Sequence, residues 1–345
     1  MRLFAVVLLA VAGASLASQS PAPPPRLPAV QMTAPVLQTF GEWIAGVRAE
    51  AIARGISQAT VDAALTGLQP QPTVIQRDRT QAEVVLTLDE YIARRLTPKM
   101  VRTAREASRA HRTLLRKVEA AYHVPARVIV AIWGMESNFG RFSGVRPTIQ
   151  ALATLAYDPR RATLFREELF DALTILDHGD IALAAMRGSW AGAMGQPQFM
   201  PSSFLTYARD FDGDGRRDIW SSEADVFASI AYYLSQSGWT PPYTWGREVK
   251  VPRSAVRKVR AAAPLRTRGC AAEQEMTVPL PLKRWRALGV TRSNGQPLPS
   301  ARLEASLVRG QRRMFLVYPN YDALLAYNCA HAYGITVGLL SDRVR

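Results

Sequence analysis

The spacing of apolar residues changes twice along this chain, and that change constrains the fold more than any other feature. Over residues 36–238 apolar residues recur at helical spacing, beginning with Phe40 and Trp43. Over residues 239–319 short strand-like runs and turns replace this pattern. Helical spacing then returns over residues 320–345. We therefore predict a mainly α (α+β) protein, in which a helical core is interrupted by a small α/β insertion and completed by a C-terminal helix.

The local pattern also predicts individual elements. The predicted helices cover residues 90–120, 125–140, 161–176, 181–187, 202–210 and 224–237. The predicted strands cover residues 248–251, 275–278 and 313–317. The many Arg and Lys residues of the first helix favour a solvated helix face over a binding patch.

The first residues have the pattern of a secretory signal peptide. Arg2 precedes an apolar run, residues 3–12, and Ala17 ends a small-residue cleavage site. The run is short for a membrane span, and no cysteine follows it closely. We expect a signal peptide over residues 1–17, a flexible leader over residues 18–35, and a periplasmic protein that is neither a lipoprotein nor stably anchored to a membrane. The alternative is an ordinary buried helix at the N-terminus.

The chain is strongly basic. Its 345 residues include 43 Lys and Arg against 28 Asp and Glu, a formal net charge of +15. Such a charge favours anionic partners, which include nucleic acid, membrane surfaces and acidic wall polymers. Secretion makes nucleic acid an unexpected partner and leaves an anionic wall polymer as the expected one.

Cys270 and Cys329 are the two cysteines of the sequence. An oxidising compartment favours a disulfide between them. Two buried free thiols are the alternative, since sequence does not fix the distance between the two residues.

A carboxylate lies near the end of the predicted helix over residues 125–140. Glu136 follows the mostly apolar segment Ala131-Ile-Trp-Gly-Met135. Apolar surroundings and the negative end of the helix dipole both raise a carboxyl pKa. A raised pKa suits a general acid near neutral pH, so Glu136 is the candidate catalytic residue. The alternative is a solvated Glu at a frayed helix end.

The segment 188–201 combines glycines, prolines, neutral polar groups and aromatic rings. Ser189, Gln196 and Gln198 offer hydrogen bonds without charge, and the aromatic rings offer flat apolar faces. This mixture suits a sugar, which has hydroxyls at its edges and C–H groups on its faces. A purely structural Ω-loop is the alternative.

These motifs, in this order, resemble the lytic murein transglycosylase B family. The resemblance covers residues 36–344. It rests on Glu136-Ser137, the Gly-Ala-Met-Gly and Gln-Phe-Met-Pro-Ser segments, Asp210-Phe-Asp-Gly-Asp-Gly215, Ser229-Ile-Ala-Tyr-Tyr233, and Tyr327-Asn328.

The resemblance implies a lysozyme-like helical fold with an added small domain. It also implies cleavage between N-acetylmuramic acid (MurNAc) and N-acetylglucosamine (GlcNAc) without water, in which the muramic acid's own 6-hydroxyl attacks and leaves a 1,6-anhydro end. Glu136 would act alone, first as acid and then as base, with no cofactor for catalysis. Ordinary glycosidases need two carboxylates, and neither the Glu136 segment nor the 188–201 segment supplies a second one.

The resemblance also assigns binding residues. Ser189 and Gln198 line the glycan cleft. Arg160 and Arg161 meet the carboxylates of the peptide stem, although a surface pair is the alternative. Further cleft positions near the catalytic Glu are Tyr91, Tyr233, Tyr327, Asn328 and Tyr333. Ala330 stands where the family often has Ser, so one hydrogen bond of the family site is in doubt.

An acidic run has the spacing of an EF-hand-like loop, with acids at the first, third and fifth positions. Ser221 stands where a Glu is expected at the last position, and the resemblance supplies a later Asp instead. The predicted ligands are Asp210, Asp212, Asp214, the Arg216 carbonyl, Asp218 and Asp225. We expect a structural Ca²⁺ here, and a metal-free Asp/Gly turn is the alternative.

Other functions remain as alternatives. A hydrolytic muramidase on the same fold would give a reducing end instead of an anhydro end, and a non-enzymatic wall-binding protein would not need Glu136. A nucleic-acid binder conflicts with secretion. The four histidines have no metal or triad spacing. We expect a monomer that binds peptidoglycan glycan strands, with other cell-wall enzymes as candidate partners.

Overall fold

The structure is a computed structural model that describes residues 38–80 and 86–344. The predicted signal peptide, residues 1–17, and the predicted leader, residues 18–35, lie outside the described residues. From Thr39 onwards the chain clusters into one compact unit.

Helices dominate the first part of this unit, as the apolar spacing predicts. They are α1 (Phe40–Ala53), α2 (Gln58–Leu65), α3 (Pro72–Thr80), α4 (Leu88–Arg95), α5 (Pro98–Ala110), α6 (Arg112–Tyr122), α7 (Ala126–Ser137), α8 (Thr148–Tyr157), α9 (Ala162–Asp177), α10 (Pro201–Tyr207) and α11 (Glu223–Gln236). Two short strands, β1 (Arg146–Pro147) and β2 (Arg187–Gly188), pair antiparallel between them.

Several of these helices begin at a side chain that caps the first turn. Thr39, Thr87 and Thr97 each accept a hydrogen bond from the backbone N–H three residues later. Each cap satisfies a donor that the start of a helix leaves unpaired. Residues 90–120 are mostly helical, as predicted, but they are divided among α4, α5 and α6, because Pro98 starts a new helix.

α7 lies at the centre of the larger hydrophobic cluster. It packs against α5, α6, α11 and α16 (His331–Ser341). The helix ends because Asn138 and Phe139 adopt left-handed backbone conformations, with φ of 51° and 60°. It therefore stops before Gly140, where the sequence predicts its end.

Two hydrophobic clusters fill the helical part. One surrounds α7, and the other surrounds α8 and α9 and includes residues of α1, α2 and α10. Tyr327 packs against both clusters. The side chains that surround this tyrosine therefore come from both hydrophobic clusters of the helical part.

The predicted helix over residues 181–187 is wrong. These residues form turns that lead into β2. The Met186 carbonyl accepts a hydrogen bond from the Thr148 N–H, and Arg187 pairs with Pro147. Pairing with a distant segment therefore overrides a weak local helical pattern.

A five-stranded antiparallel sheet forms the inserted segment, in the order β4-β6-β7-β3-β5. The strands are β3 (Gly246–Lys250), β4 (Leu280–Pro281), β5 (Thr291–Arg292), β6 (Glu304–Arg309) and β7 (Met314–Val317). The accompanying helices are α12 (Val256–Ala262), α13 (Ala271–Gln274) and α14 (Leu282–Ala287). The segment has its own hydrophobic cluster, which includes the fully buried Trp285.

The predicted strand over residues 275–278 is also wrong. Within it Thr277 makes only an isolated bridge to Leu265, and the edge strand is β4 instead. The Thr277 backbone N–H donates to the Leu307 carbonyl of β6. The segment therefore contacts the sheet without extending it.

The chain returns to the helical part at its C-terminal end. α15 (Asn320–Tyr327) packs against α11, and α16 packs against α4 and α7. A break at residues 328–330 divides what the sequence predicts as one helix. Among the described residues, no helix is both long and apolar enough to span a membrane.

Candidate active site

Glu136 occupies the last turn of α7 and is partly exposed between the buried Met135 and Ser137. Burial of its carboxyl raises its pKa from 4.5 to about 7. The Tyr333 hydroxyl and the Arg95 charge oppose this rise but do not cancel it. Near neutral pH both the protonated and the ionised form of this carboxyl are therefore populated. A group that donates a proton in one step and accepts one in another needs both forms.

Three tyrosines predicted near the catalytic Glu surround this carboxyl. Burial raises the pKa of Tyr91, Tyr327 and Tyr333, and the negative charge of Glu136 adds to each rise. The Tyr333 hydroxyl is buried and makes no hydrogen bond of ordinary geometry within the described residues. This hydroxyl acts on the Glu136 carboxyl, whose pKa it lowers.

An aromatic cluster extends from these tyrosines towards the 188–201 loop. The rings of Tyr233 and Tyr327 lie 4.7 Å apart, and the Phe199 ring lies 5.9 Å from Tyr327. The Tyr233 hydroxyl donates to the Ala326 carbonyl at 2.7 Å, and the Tyr327 hydroxyl donates to the Pro197 carbonyl at 2.8 Å. Tyr327 is thereby fixed to the loop that the sequence predicts to be sugar-binding, and Tyr233 is fixed to α15 beside it.

The predicted glycan-binding side chains are held by the loop itself. The Ser189 hydroxyl oxygen accepts from the backbone N–H groups of Ala191 and Ala193, at 3.2 and 3.1 Å. Gln198 has a positive φ of 55° and donates through Nε2 to the Gly195 carbonyl at 2.8 Å. Both side chains are half-buried, so each keeps an accessible part for a ligand.

The acidic loop between α10 and α11 brings three carboxylates together. One oxygen each from Asp210, Asp212 and Asp214 lie within 4.8 Å of one another, and all three residues are exposed. Hard oxygen ligands in such a cluster fit a Ca²⁺ ion. Positive φ values at Gly213 and Gly215 allow their N–H groups to donate to Asp210.

The other predicted metal ligands hold the backbone of this loop instead. Asp225 is buried and accepts from the Phe211 and Asp218 N–H groups, both at 2.7 Å. Burial raises the pKa of Asp225 to about 6. Asp218 accepts from the Trp220 N–H at 2.9 Å. The carboxylate cluster of the described residues therefore includes neither of these two aspartates.

The sequence pattern that defines the transglycosylase SLT domain family matches residues 39–342. The chain belongs to this family. The match extends across the helical part, the sheet and both C-terminal helices. The predicted family relationship and the predicted mainly helical, lysozyme-like fold are therefore confirmed.

A relative with a curated description is the membrane-bound lytic murein transglycosylase B of Escherichia coli (strain K12). It is 43% identical over 127 residues, which are 36% of this chain and 35% of that protein. The chain thus matches about a third of the length of this relative.

Solved structures of the family resemble the whole described fold. SltB3 from Pseudomonas aeruginosa has a TM-score of 0.81 and 42% identity, covering 89% of this chain and 80% of that one, in a complex with NAG-anhNAM-pentapeptide. A second SltB3 structure holds NAG-NAM-pentapeptide. The Escherichia coli lytic transglycosylase Slt35 in complex with calcium has a TM-score of 0.71 and 27% identity, covering 87% of this chain and 92% of that one.

Two residues near Glu136 have contacts that the sequence did not indicate, namely Arg95, which the sequence pattern did not single out, and Gln196, which it singled out only as a sugar-binding group. Arg95 donates to the Met135 carbonyl at 2.7 Å and places a positive charge near Glu136. Gln196 accepts from Trp133 Nε1 at 2.6 Å and donates to the Trp220 carbonyl at 2.8 Å. Gln196 thereby ties the 188–201 loop to α7; its place in the loop pointed to a ligand rather than to this contact.

The predicted peptide-binding arginines form ion pairs near α3. Arg160 Nη2 and Arg161 Nη1 lie 2.7 and 3.1 Å from the Asp78 carboxylate, and Arg160 also pairs with Asp158. Both arginines are about half exposed, at 45% and 47%. Within the described residues no contact joins them to Glu136 or to the tyrosines around it.

The break between α15 and α16 carries two further predicted features. Asn328 is exposed and ends α15. Cys329 is bonded to Cys270, with Cα atoms 6.3 Å apart, so the predicted disulfide is confirmed. The bond fixes the segment between Tyr327 and Tyr333 to the start of α13.

Proposed function

We propose that this protein is a lytic transglycosylase that cleaves the β-1,4 bond between MurNAc and GlcNAc in peptidoglycan and leaves 1,6-anhydroMurNAc ends. Membership of the family supports this proposal, as do the peptidoglycan fragments held by SltB3. The observation that carries it is the isolated carboxyl of Glu136, with a pKa of about 7.

In the first step the protonated Glu136 carboxyl donates its proton to the glycosidic oxygen as the bond from MurNAc C1 breaks. The GlcNAc strand leaves with that proton on its 4-hydroxyl. In the second step the Glu136 carboxylate takes the proton of the MurNAc 6-hydroxyl, and O6 bonds to C1. The carboxyl ends in its starting form, so atoms and protons balance without water and without a cofactor.

The charges around Glu136 favour this scheme over hydrolysis. A retaining or inverting glycosidase needs a second carboxyl about 5–9.5 Å from the first. A nearby carboxylate would raise the Glu136 pKa further. In the described part of the chain, the groups that affect this pKa are Tyr333 and Arg95, and no Asp or Glu is among them. Glu136 therefore serves as acid and base in turn.

The remaining residues bind the glycan and its peptides. Ser189, Gln198 and Asn328 would hydrogen-bond the sugars, and the Tyr91, Tyr233, Tyr327 and Tyr333 cluster would pack against them and shield the proton transfers from bulk water. Arg160 and Arg161 would exchange part of their pairing with Asp78 for stem-peptide carboxylates.

The deciding experiment analyses the products of digested sacculi by mass spectrometry for the wild type and Glu136→Gln. We expect anhydro-ended fragments, lighter by one water than their reducing-end counterparts, and a rate loss of about 10⁴-fold in the variant, at the top of the usual range for general acid–base catalysis. Reducing-end products would establish a muramidase instead. Unchanged activity of the variant would leave a wall-binding protein.

The acidic loop has a separate, structural part in this proposal. Asp210, Asp212 and Asp214 would hold a Ca²⁺ ion, with the Arg216 carbonyl as a further ligand. The ion would neutralise three clustered negative charges between α10 and α11 and take no part in the proton transfers.

The proposed place of action is the periplasm. The signal-peptide pattern over residues 1–17 and the wall polymer named for the relatives support this location. There we propose a monomer that acts on glycan strands, alongside other cell-wall enzymes.

A further inference from the structure

The outer face of α5 carries arginines without acidic partners among the described residues. Arg102, Arg105 and Arg109 are exposed. Their spacing of three and four residues puts them on one stripe of the helix. No described carboxylate forms an ion pair with any of them. The stripe therefore presents a net positive charge to the surroundings.

This stripe lines an open groove of about 770 Å³, the α5 groove. Arg343 lines the opposite side, and its carbonyl accepts from Arg105 Nε at 2.7 Å. Glu106 is the acidic residue of the lining. Four guanidinium groups thus face one carboxylate, so the groove attracts anions.

The chemistry of the groove favours a hydrated carboxylate polymer over a lipid surface. A membrane-bound helix needs apolar side chains that can enter the bilayer. In α5 the buried Ala104 belongs to the cluster around α7, and the half-buried Met100 and Val101 pack against it. Val101 also lines the groove, with Leu96 and Pro98. The large exposed hydrophobic side chains of the described residues lie outside α5. Guanidinium groups bind carboxylates in paired hydrogen bonds, which suits free peptide carboxylates.

We propose that the α5 groove binds carboxylates of wall peptides on a strand other than the one being cleaved. The choice of polymer rests on the proposed function. No described contact joins the groove arginines to Glu136 or to the tyrosines around it, so the proposal treats groove binding and cleavage as separate events. The groove holds the enzyme on the wall while the active site releases one product and takes up the next strand.

The test measures binding to purified sacculi in a Glu136→Gln background, so that the polymer stays intact. The groove variant carries Arg102→Gln, Arg105→Gln and Arg109→Gln. The control variant carries Arg257→Gln, Lys258→Gln and Arg260→Gln, which removes the same charge from exposed positions of α12. Thermal unfolding checks that both variants remain folded.

We expect the groove variant to bind sacculi about tenfold more weakly, as the loss of three exposed charge pairs implies. The control variant should bind within about twofold of its parent, because it loses only part of the long-range electrostatic attraction between the basic protein and the anionic wall. Removal of the peptides from the sacculi with an amidase should abolish the difference between the two variants. Equal weakening in both variants, or no weakening in the groove variant, would overturn the proposal.

Two further measurements separate this proposal from others. Cleavage of short peptide-free glycan strands, measured with Glu136 intact, should be equal in the wild type and the groove variant. Absence of anhydro products would refute the proposed function while leaving the binding result to stand by itself. Vesicles of anionic phospholipid should not bind through the groove, and a groove-dependent loss of vesicle binding with unchanged sacculus binding would assign it to membranes instead.

Discussion

At the scale of single residues, the environment of Glu136 decides what the site can do. Its carboxyl is costly to ionise because it lies in apolar surroundings at the end of α7. Tyr333 and Arg95 reduce that cost by interacting with the charged form. These opposing effects leave the Glu136 pKa near 7, so this carboxyl can both donate and accept a proton near neutral pH.

The pH dependence of the reaction follows from this pKa. The proposed first step needs protonated Glu136, whose pKa is about 7. We therefore expect kcat/KM on peptide-free glycan strands to fall as pH rises above about 7. A profile between pH 5 and 9, at about 1-unit steps or finer, locates this limb. A limb near 4.5, the ordinary value for Glu, would contradict the burial of the carboxyl.

Replacing Tyr333 with Phe tests the opposing interaction. The Tyr333 hydroxyl lowers the Glu136 pKa, so its removal should raise that pKa and move the falling limb of kcat/KM to higher pH. Tyr321→Phe is the matched control, because the Tyr321 hydroxyl contacts His331 Nδ1 at 3.0 Å instead. The control should leave the limb in place, and an unmoved limb in both variants would show that Tyr333 does not act on the carboxyl.

At the scale of elements, the site depends on two segments whose backbones touch. The loop after α7 approaches the 188–201 loop at Gly144. A Cβ on Gly144 would lie 2.1 Å from the carbonyl carbon of Gly188, and the Gly144 φ is 97°. Gln198 joins the same segments by donating to the Ser143 carbonyl at 3.2 Å.

Gly144→Ala should therefore destabilise the protein strongly. We expect a loss of more than about 2 kcal/mol in the free energy of unfolding, because a clash with backbone adds to the strain of a positive φ. Gly179→Ala is the control, since Gly179 also has a positive φ, 77°, but has open space around its Cβ. Urea unfolding of both variants separates the cost of the backbone clash from the cost of the positive φ. Equal losses of unfolding free energy in the two variants would argue against the close approach of Gly144 to Gly188.

The disulfide between Cys270 and Cys329 should stabilise the fold as well as the break that follows Tyr327. It closes a loop with a sequence separation of 59, for which the chain-entropy relation gives about 4 kcal/mol. We expect a double Cys→Ser variant to lose most of this amount in urea unfolding. The wild type in reductant should match the variant, and a loss below about 1 kcal/mol would mean that packing alone holds the break.

At the scale of the whole molecule, one unit combines two helical clusters and a sheet with its own apolar cluster. The acidic loop joins α10, which packs in one helical cluster, to α11, which packs in the other. An ion bound there acts only on the folded state, so its effect should appear in global stability.

Calcium should therefore raise the thermal midpoint of unfolding. Its binding to Asp210, Asp212 and Asp214 relieves their mutual repulsion in the folded protein. Differential scanning fluorimetry with Ca²⁺, with the same concentration of Mg²⁺, and with EDTA measures the shift. We expect a smaller shift with Mg²⁺ and none in Asp212→Asn with Asp214→Asn. An equal shift in that variant would place the ion elsewhere.

Sequence reasoning predicted the features that depend on neighbouring residues. The apolar segment before Glu136 predicted its raised pKa, and the change of spacing after Gly238 predicted where helices give way to strands. Features that depend on distant segments were missed. Gln196 and Trp133, 63 residues apart, form a hydrogen bond that no local pattern indicates. The turns at 181–187 likewise arise from pairing with β1.

By itself the sequence determined which residues are the candidates for the proposed chemistry, because helix periodicity, residue type and motif order are local properties of the chain. The tertiary structure decided their protonation and mutual position. Glu136 has a pKa near 7 only because Tyr333, Arg95 and the buried surroundings come from α16, α4 and α7 together. The net positive charge of the α5 groove was also decided in three dimensions, since folding adds Arg343 to the three arginines of α5 and leaves Glu106 as the acidic residue in the described lining.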